Sequence, residues 1–187
     1  MGQRHDERGS QTRTRNDVSM RDEIVNRVAN SGLITFDLEE YYPKGKRTVI
    51  DLKDWLFEEL ILKEKDFREQ VKQHDWSQYK DQYVTIDCKS DAIVPVWAYM
   101  LIASSLMPYA KTVARGSLEQ LESLLFQSVI LDLDVSPYKD QRVIIKGCSN
   151  LNIVDYAYMA ITTKLRPLAK SIMYGEACSS VPIFKRQ

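Results

Sequence analysis

The chain has no glycine cluster: its seven glycines are scattered over 187 residues, so neither a Walker-type nor a dinucleotide-type phosphate loop is present. Cysteine is sparse too. Three thiols, an odd number with no C-x-x-C spacing, do not make a disulfide framework, and without an export signal they point to a reducing, cytoplasmic compartment. With only His5 and His74 in the chain, H-E-x-x-H and C2H2 zinc patterns are excluded. Excess charge is missing as well: Lys plus Arg and Asp plus Glu both number 26, and without a basic field a nucleic-acid partner is not expected. The longest apolar run, Ala92 to Leu106, contains Ser104 and Ser105 and falls short of the ~20 residues a bilayer span requires. It reads as a buried helix, and no membrane partner is expected.

What is there suits a globular fold. Hydrophobic residues make up 44% and charged residues 28% of the chain, enough to bury a substantial core. Met1–Ser19 is different: it has no Phe, Tyr or Trp, and beyond the initiator only Val18 is aliphatic. It is expected to be a disordered tail, with no apolar stretch that a signal peptide would need. Residues 20–187 are expected to form one α/β domain.

Local patterning predicts a helix over Glu23–Ala29 stopped by Ser31-Gly32, then strands over Leu33–Phe36 and Arg47–Asp51. Asp51 is placed to cap a helix carrying Trp55, Leu56, Glu59 and Leu60, and Glu64–Lys72 reads as a more solvated helix. Ser117–Leu131 reads as a linking helix with Leu118, Leu121, Leu124, Leu125 and Ser128 along one side.

The C-terminal half repeats itself. Sliding residues 84–116 by 59 positions onto 143–175 aligns Val84, Ile86 and Ser90 with Val143, Ile145 and Ser149. It also aligns Ala98, Tyr99, Met100 and Ile102 with Ala157, Tyr158, Met159 and Ile161. Leu106, Pro108, Ala110, Lys111 and Gly116 recur as Leu165, Pro167, Ala169, Lys170 and Gly175. Such self-similarity indicates a duplicated β-α-β unit, over residues 83–116 and 142–175. The strands are expected at Tyr83–Asp87, Thr112–Arg115, Arg142–Lys146 and Ser171–Tyr174, with helices at Pro95–Met107 and Ile153–Arg166. Strand, helix and strand this closely joined form a parallel crossover, so the expected whole is an α/β fold with one mostly parallel sheet and helices on its faces.

In that arrangement Cys88, Cys148 and Cys178 each follow a strand and share the carboxyl edge, where open α/β sheets place ligands. Thiolates beside a helix start are good ligands or nucleophiles. Three of them would hold zinc or an iron-sulfur cluster, with Asp91, Glu176 or His74 as fourth donor by residue type. The plainer reading is that they are buried structural thiols, which strand ends often carry; a third is redox or nucleophilic chemistry. Asp37, Glu39, Glu40 and Asp51 read as a solvated turn face. No catalytic residue stands out, and Tyr99, Tyr158, Trp97 and Tyr156 read as packing between helix and sheet.

Five segments carry a resemblance: Asp54–Arg68, His74–Tyr79, Asp91–Met100, Lys146–Ser149 and Arg166–Pro182, the last with its Gly-Glu-Ala-Cys-Ser-Ser run. Together they are similar to a bacterial family of unknown function, domain-of-unknown-function family twenty-four-eighty, from about Glu23 to Lys185. Genes of that family often lie beside the sulfur-mobilisation (SUF) iron-sulfur assembly genes. The resemblance therefore implies a role near cluster assembly, with Cys88, Cys148 and Cys178 as the ligating residues and iron-sulfur assembly proteins as partners. The alternative is a non-catalytic interaction module that presents a pseudo-symmetric surface to a partner or to itself.

Overall fold

The computed structural model describes residues 32–176 and 179–187. The expected tail Met1–Ser19, the expected helix Glu23–Ala29 and Cys178 lie outside the described residues. The described elements run β1 (Leu33–Phe36), β2 (Arg47–Asp51), α1 (Glu64–Gln73), β3 (Tyr83–Asp87), α2 (Val96–Leu106) and β4 (Thr112–Arg115). They continue with α3 (Leu118–Asp132), β5 (Arg142–Lys146), α4 (Asp155–Leu165), β6 (Ser171–Glu176) and β7 (Ser179–Lys185).

The α/β class and the parallel strands are as expected, but the expected single sheet is not. Among the described residues the strands form two sheets, β1-β5-β6-β7 and β2-β3-β4. Every pairing is parallel except β6 with β7. The two N-terminal strands divide between them: β1 pairs with β5, Phe36 opposite Ile145, and β2 pairs with β3, Ile50 opposite Ile86. Strand β7 has no counterpart in the sequence reading. Pro182 lies in it, opposite Met173 at a register irregularity, a position where an edge strand tolerates proline.

A second correction falls after β2. Asp51 does cap a turn, its carboxylate accepting the Lys53 N–H at 3.0 Å, but that turn is a short 3₁₀ segment, Leu52–Trp55. Glu58 and Glu59 then adopt φ of 49° and 60°, and Phe57 bridges back to Ile61. Leu52 and Leu56 are buried while Phe57, Leu60 and Ile61 face solvent, so a continuing helix would lack a single apolar stripe to bury.

The helices form where residues four apart present one apolar face. In α2 these are Ala98, Ile102 and Leu106, and in α4 Ala157, Ile161 and Leu165, all fully buried. The first set joins a core with Ile50, Val84, Ile86 and the α1 residues Phe67 and Val71. The second joins Phe36, Val143, Ile145 and Ile172, together with Phe126 and Ile130 of α3. Helix α3 touches β3, β4 and α4, so it links the two sheets; Ser117 and Gln120 start it with a reciprocal capping box.

The correspondence at a spacing of 59 reaches further toward the N-terminus than residue 84. Asp75, Ser77, Tyr79, Lys80, Asp81 and Gln82 align with Asp134, Ser136, Tyr138, Lys139, Asp140 and Gln141. Asp75 and Asp134 each accept the N–H of the serine two residues on, at 3.0 and 2.9 Å. Asp81 and Asp140 share a left-handed φ of 60° and 57°. Their N–H groups donate to Tyr109 and Leu168, again 59 apart, at 3.0 and 2.9 Å.

Candidate functional site

At the carboxyl ends of β1 and β5, short-range turn chemistry becomes a long-range clasp. Asp37, the residue after β1, accepts the Glu39 N–H at 3.0 Å, which starts the 3₁₀ turn Leu38–Tyr41. Its second oxygen accepts from Lys146 Nζ, the last residue of β5, at 2.6 Å. Glu39 accepts the Ser149 hydroxyl at 2.8 Å and also the Asn150 N–H. The loop after β5 is thus pinned to the turn after β1, and it holds Cys148 in the open.

These contacts set the charges at this edge. Burial works to raise the Asp37 carboxyl, but the Lys146 ammonium and the Glu39 N–H outweigh it and hold the group below its ordinary value. The Ser149 hydroxyl and the Asn150 N–H lower Glu39 in the same way. Asp37 holds Lys146 above its usual value by hydrogen bond, so all three stay ionised at neutral pH. Behind them Tyr158 of α4 meets Tyr174 edge-on, ring centroids 5.5 Å apart, and burial, then Tyr174 and the carboxylates of Asp37 and Asp155, raise its hydroxyl.

Cys148 is also drawn to β6. Its N–H donates to Glu176 Oε1 at 3.4 Å. The close approach comes from glycines: a Cβ on Gly147 would lie 3.1 Å from both Gly175 Cα and the Tyr174 ring. Gly175 itself, at φ 120°, adopts a backbone conformation that side chains disfavour. Glu176 ends β6, and Cys178 lies two residues beyond it.

The three-stranded sheet has its own carboxyl edge. Asp51 accepts the Lys89 N–H at 3.1 Å, and Asp87 accepts the Cys88 N–H at 2.9 Å. Cys88 is half-buried, packed against the second core, with its sulfur 3.4 Å from Ser90 Oγ. Arg115 stacks on the Tyr99 ring at 4.1 Å. Asp91 is exposed in the loop that follows.

The sequence-predicted donors therefore divide. Cys148 and Glu176 are neighbours on the four-stranded sheet, whereas Cys88 and Asp91 belong to the other sheet; a common edge for all of them presupposed one sheet. His74 sits among the rings of Trp55, Trp76 and Tyr79, 4.6 to 5.7 Å away, with Nε2 3.0 Å from the Tyr79 hydroxyl. Burial lowers its pKa against the pull of Asp75. Among the described residues no group of three or more His, Cys, Asp or Glu is placed to hold a metal ion.

Asp37, Glu39 and Asp51 do more than face solvent. The signal was in the sequence: Asp37-Leu-Glu-Glu-Tyr41 and Asp51-Leu-Lys-Asp-Trp55 follow one pattern of aspartate, leucine, acid and aromatic. In both, the aspartate caps the turn and the leucine is buried.

Fold and site together define a mixed α/β protein of two mostly parallel sheets, each carrying a capped aspartate turn and an exposed or half-buried thiol at its carboxyl end. Residues 22–186 match the family model described as Protein of unknown function (DUF2480), and the chain belongs to that family. No curated protein and no solved structure matches it. None of the described helices is long and apolar enough to cross a membrane.

Proposed function

We propose that this protein is an accessory factor that holds zinc or an iron-sulfur cluster at the carboxyl edge of the four-stranded sheet, in the service of iron-sulfur assembly proteins. The observation that carries the reading is the hydrogen bond from the Cys148 backbone N–H to the Glu176 carboxylate at 3.4 Å, which sets an exposed cysteine next to an acid. Cys178, two residues past Glu176, supplies the further thiolate. A two-thiolate, one-carboxylate set suits zinc with one position left for a partner's group, and an iron-sulfur cluster would take the thiolates. Cys88 and Asp91, on the other sheet, are outside this donor set. Lys146 and the Asp37–Glu39 turn hold the Cys148 loop in place and take no part in ligation.

The two strand-helix-strand units, 83–116 and 142–175, are read as copies of one ancestral unit, with the site kept on the second. The shared left-handed aspartates Asp81 and Asp140 support this reading.

Metal and acid-labile sulfide content, with an absorption spectrum, tests it on protein purified without affinity metals and without air. About one zinc, or iron with sulfide, per chain is expected. Cys148→Ser and Cys178→Ser should each abolish the signal, Glu176→Gln should weaken it, and Cys88→Ser should leave it unchanged. Folded wild-type protein without metal, or full metal content in Cys148→Ser, overturns the proposal.

A further inference from the structure

Strand β5 presents side chains to both faces of the four-stranded sheet. Val143 and Ile145 join the core that α3 and α4 complete, so Ile144 between them points to the far face. Its paired neighbours there are Thr35 of β1 and Met173 of β6. Thr35 is exposed and Met173 half-buried, yet Ile144 is only 1% exposed and belongs to neither core. The described helices do not account for its cover. The buried residues of α3 and α4 pack with Val143 and Ile145, and those of α1 and α2 pack on the other sheet.

The first unit shows what such a face needs. Thr85, 59 residues before Ile144, is also fully buried, on the side of its sheet that holds Arg47 and Tyr83. Helix α3 covers that side: it touches β3 and β4, and its Glu122 binds Arg47. Helices α1 and α3 correspond across the same spacing, Phe67 and Val71 recurring as Phe126 and Ile130. Each unit thus lines the near face of its sheet with its own two helices, and the second unit's helix covers the far face of the first. The far face of the second needs another cover.

Chain continuity supplies one. Strand β1 is an edge strand of this sheet, and residues 22–31 lead into it through Gly32, whose φ of 57° is the left-handed turn that commonly follows a helix. At helical spacing Ile24, Val25, Val28 and Ala29 fall on one side and Glu23, Asn26, Arg27 and Asn30 on the other. So short a helix depends on burying its apolar side. The family match begins at residue 22, which sets this segment with the domain and not with the polar tail before it.

We propose that residues 22–31 form an amphipathic helix laid across the far face of the four-stranded sheet, with Ile24, Val25 and Val28 covering Ile144 and Met173. The proposal is independent of the thiol site, which stands at the strands' carboxyl ends. Amide hydrogen exchange on the full chain tests it, with circular dichroism as a check that each variant is folded. The amides of Val25 to Ala29 should exchange at least about tenfold slower than in an unstructured chain. Val28→Glu should abolish that protection although glutamate favours a helix more than valine does, so its loss reports lost docking. Met173→Glu, on the sheet, should abolish it too, whereas Asn26→Glu on the outward side and Met159→Glu on α4 should leave it intact. Should Met173→Glu fail to fold, Val28→Glu carries the test alone. Unprotected amides in wild type, or protection indifferent to Val28→Glu, overturn the proposal. A second copy on this face would appear in sedimentation velocity as a dimer that Met173→Glu dissociates and Val28→Glu does not; that result overturns it as well.

Discussion

Arg47 and Glu122, 75 residues apart in sequence, meet in a two-pronged ion pair: Nε to Oε1 at 2.6 Å and the terminal guanidinium nitrogen to Oε2 at 3.1 Å. The side chains are 12% and 7% exposed, and the Tyr42 and Tyr83 rings lie 4.6 and 5.1 Å from the guanidinium carbon. The pair ties β2 of one sheet to α3, whose Phe126 and Ile130 belong to the core of the other.

Breaking one side of this pair leaves a buried charge alone, so Glu122→Ala should cost about 3 kcal/mol in urea unfolding. Replacing both residues by apolar ones of similar volume, Arg47→Met with Glu122→Leu, should recover most of that loss. A single-mutant loss under about 1 kcal/mol would mean the pair is solvated and worth no more than a surface contact.

Acid should loosen the carboxyl edge of the four-stranded sheet. Asp37 titrates below its ordinary value of 3.8 in the folded chain. Its stabilising effect is therefore complete above that value and is lost as the pH falls through the lower, folded one. Thermal melts of wild type and Asp37→Asn should differ at neutral pH and converge in strong acid. Parallel curves across that range would show that the ion pair with Lys146 is not what couples this edge to pH.

At the alkaline end the group to watch is Tyr138. Burial, reinforced by Tyr41 beside it, pushes its hydroxyl up to about 12. A raised acid contributes stability that is present below the ordinary tyrosine value and lost as the pH rises through the folded one. The tyrosinate absorbance should show a late-titrating component that Tyr138→Phe reduces by one residue. If Tyr138→Phe leaves the alkaline limb of the titration unchanged, the late group is another tyrosine.

Gly175→Ala tests the backbone that brings Cys148 to Glu176. A Cβ there would lie 2.5 Å from the Ser179 carbonyl oxygen, at a φ of 120°. The cost should be about 2 kcal/mol, and β7 should separate from β6, read as faster amide exchange at Ser180 and Val181. Gly116→Ala carries a similar φ of 114° but meets only the Gln120 side chain, which can swing away. Its cost should be the smaller of the two.

Most elements were legible from the chain alone. Leu33–Phe36, Arg47–Asp51, Tyr83–Asp87, Thr112–Arg115 and Arg142–Lys146 were expected as strands and are strands with those bounds. Their runs end at aspartate or just before glycine, and such signals act over only a few residues. The stretch after Asp51 misled for the same reason. Trp55, Leu56, Glu59 and Leu60 have helical spacing, but Leu52 is buried in the second core while Leu60 faces solvent, and the turn stops at Trp55.

The site was less legible because it depends on which strands are neighbours. Three thiols after three strands would share an edge in one sheet; in two sheets Cys88 parts from Cys148. Nothing local in Leu33–Phe36 or Arg47–Asp51 distinguishes β5 from β3 as a partner, because exposed strand edges offer the same N–H and C=O groups everywhere. The choice was made by long-range packing: Phe36 with Tyr138 and Val143 in one core, Ile50 with Val84 and Phe67 in the other. The sequence by itself marked strands β1 to β6, helices α1 to α4 and the aspartate that caps the turn after β2, since each is written within a few residues. Only the tertiary structure decided that the strands would form two sheets, and with that which thiol stands beside which carboxylate, because pairing is settled by the burial of side chains distant in sequence.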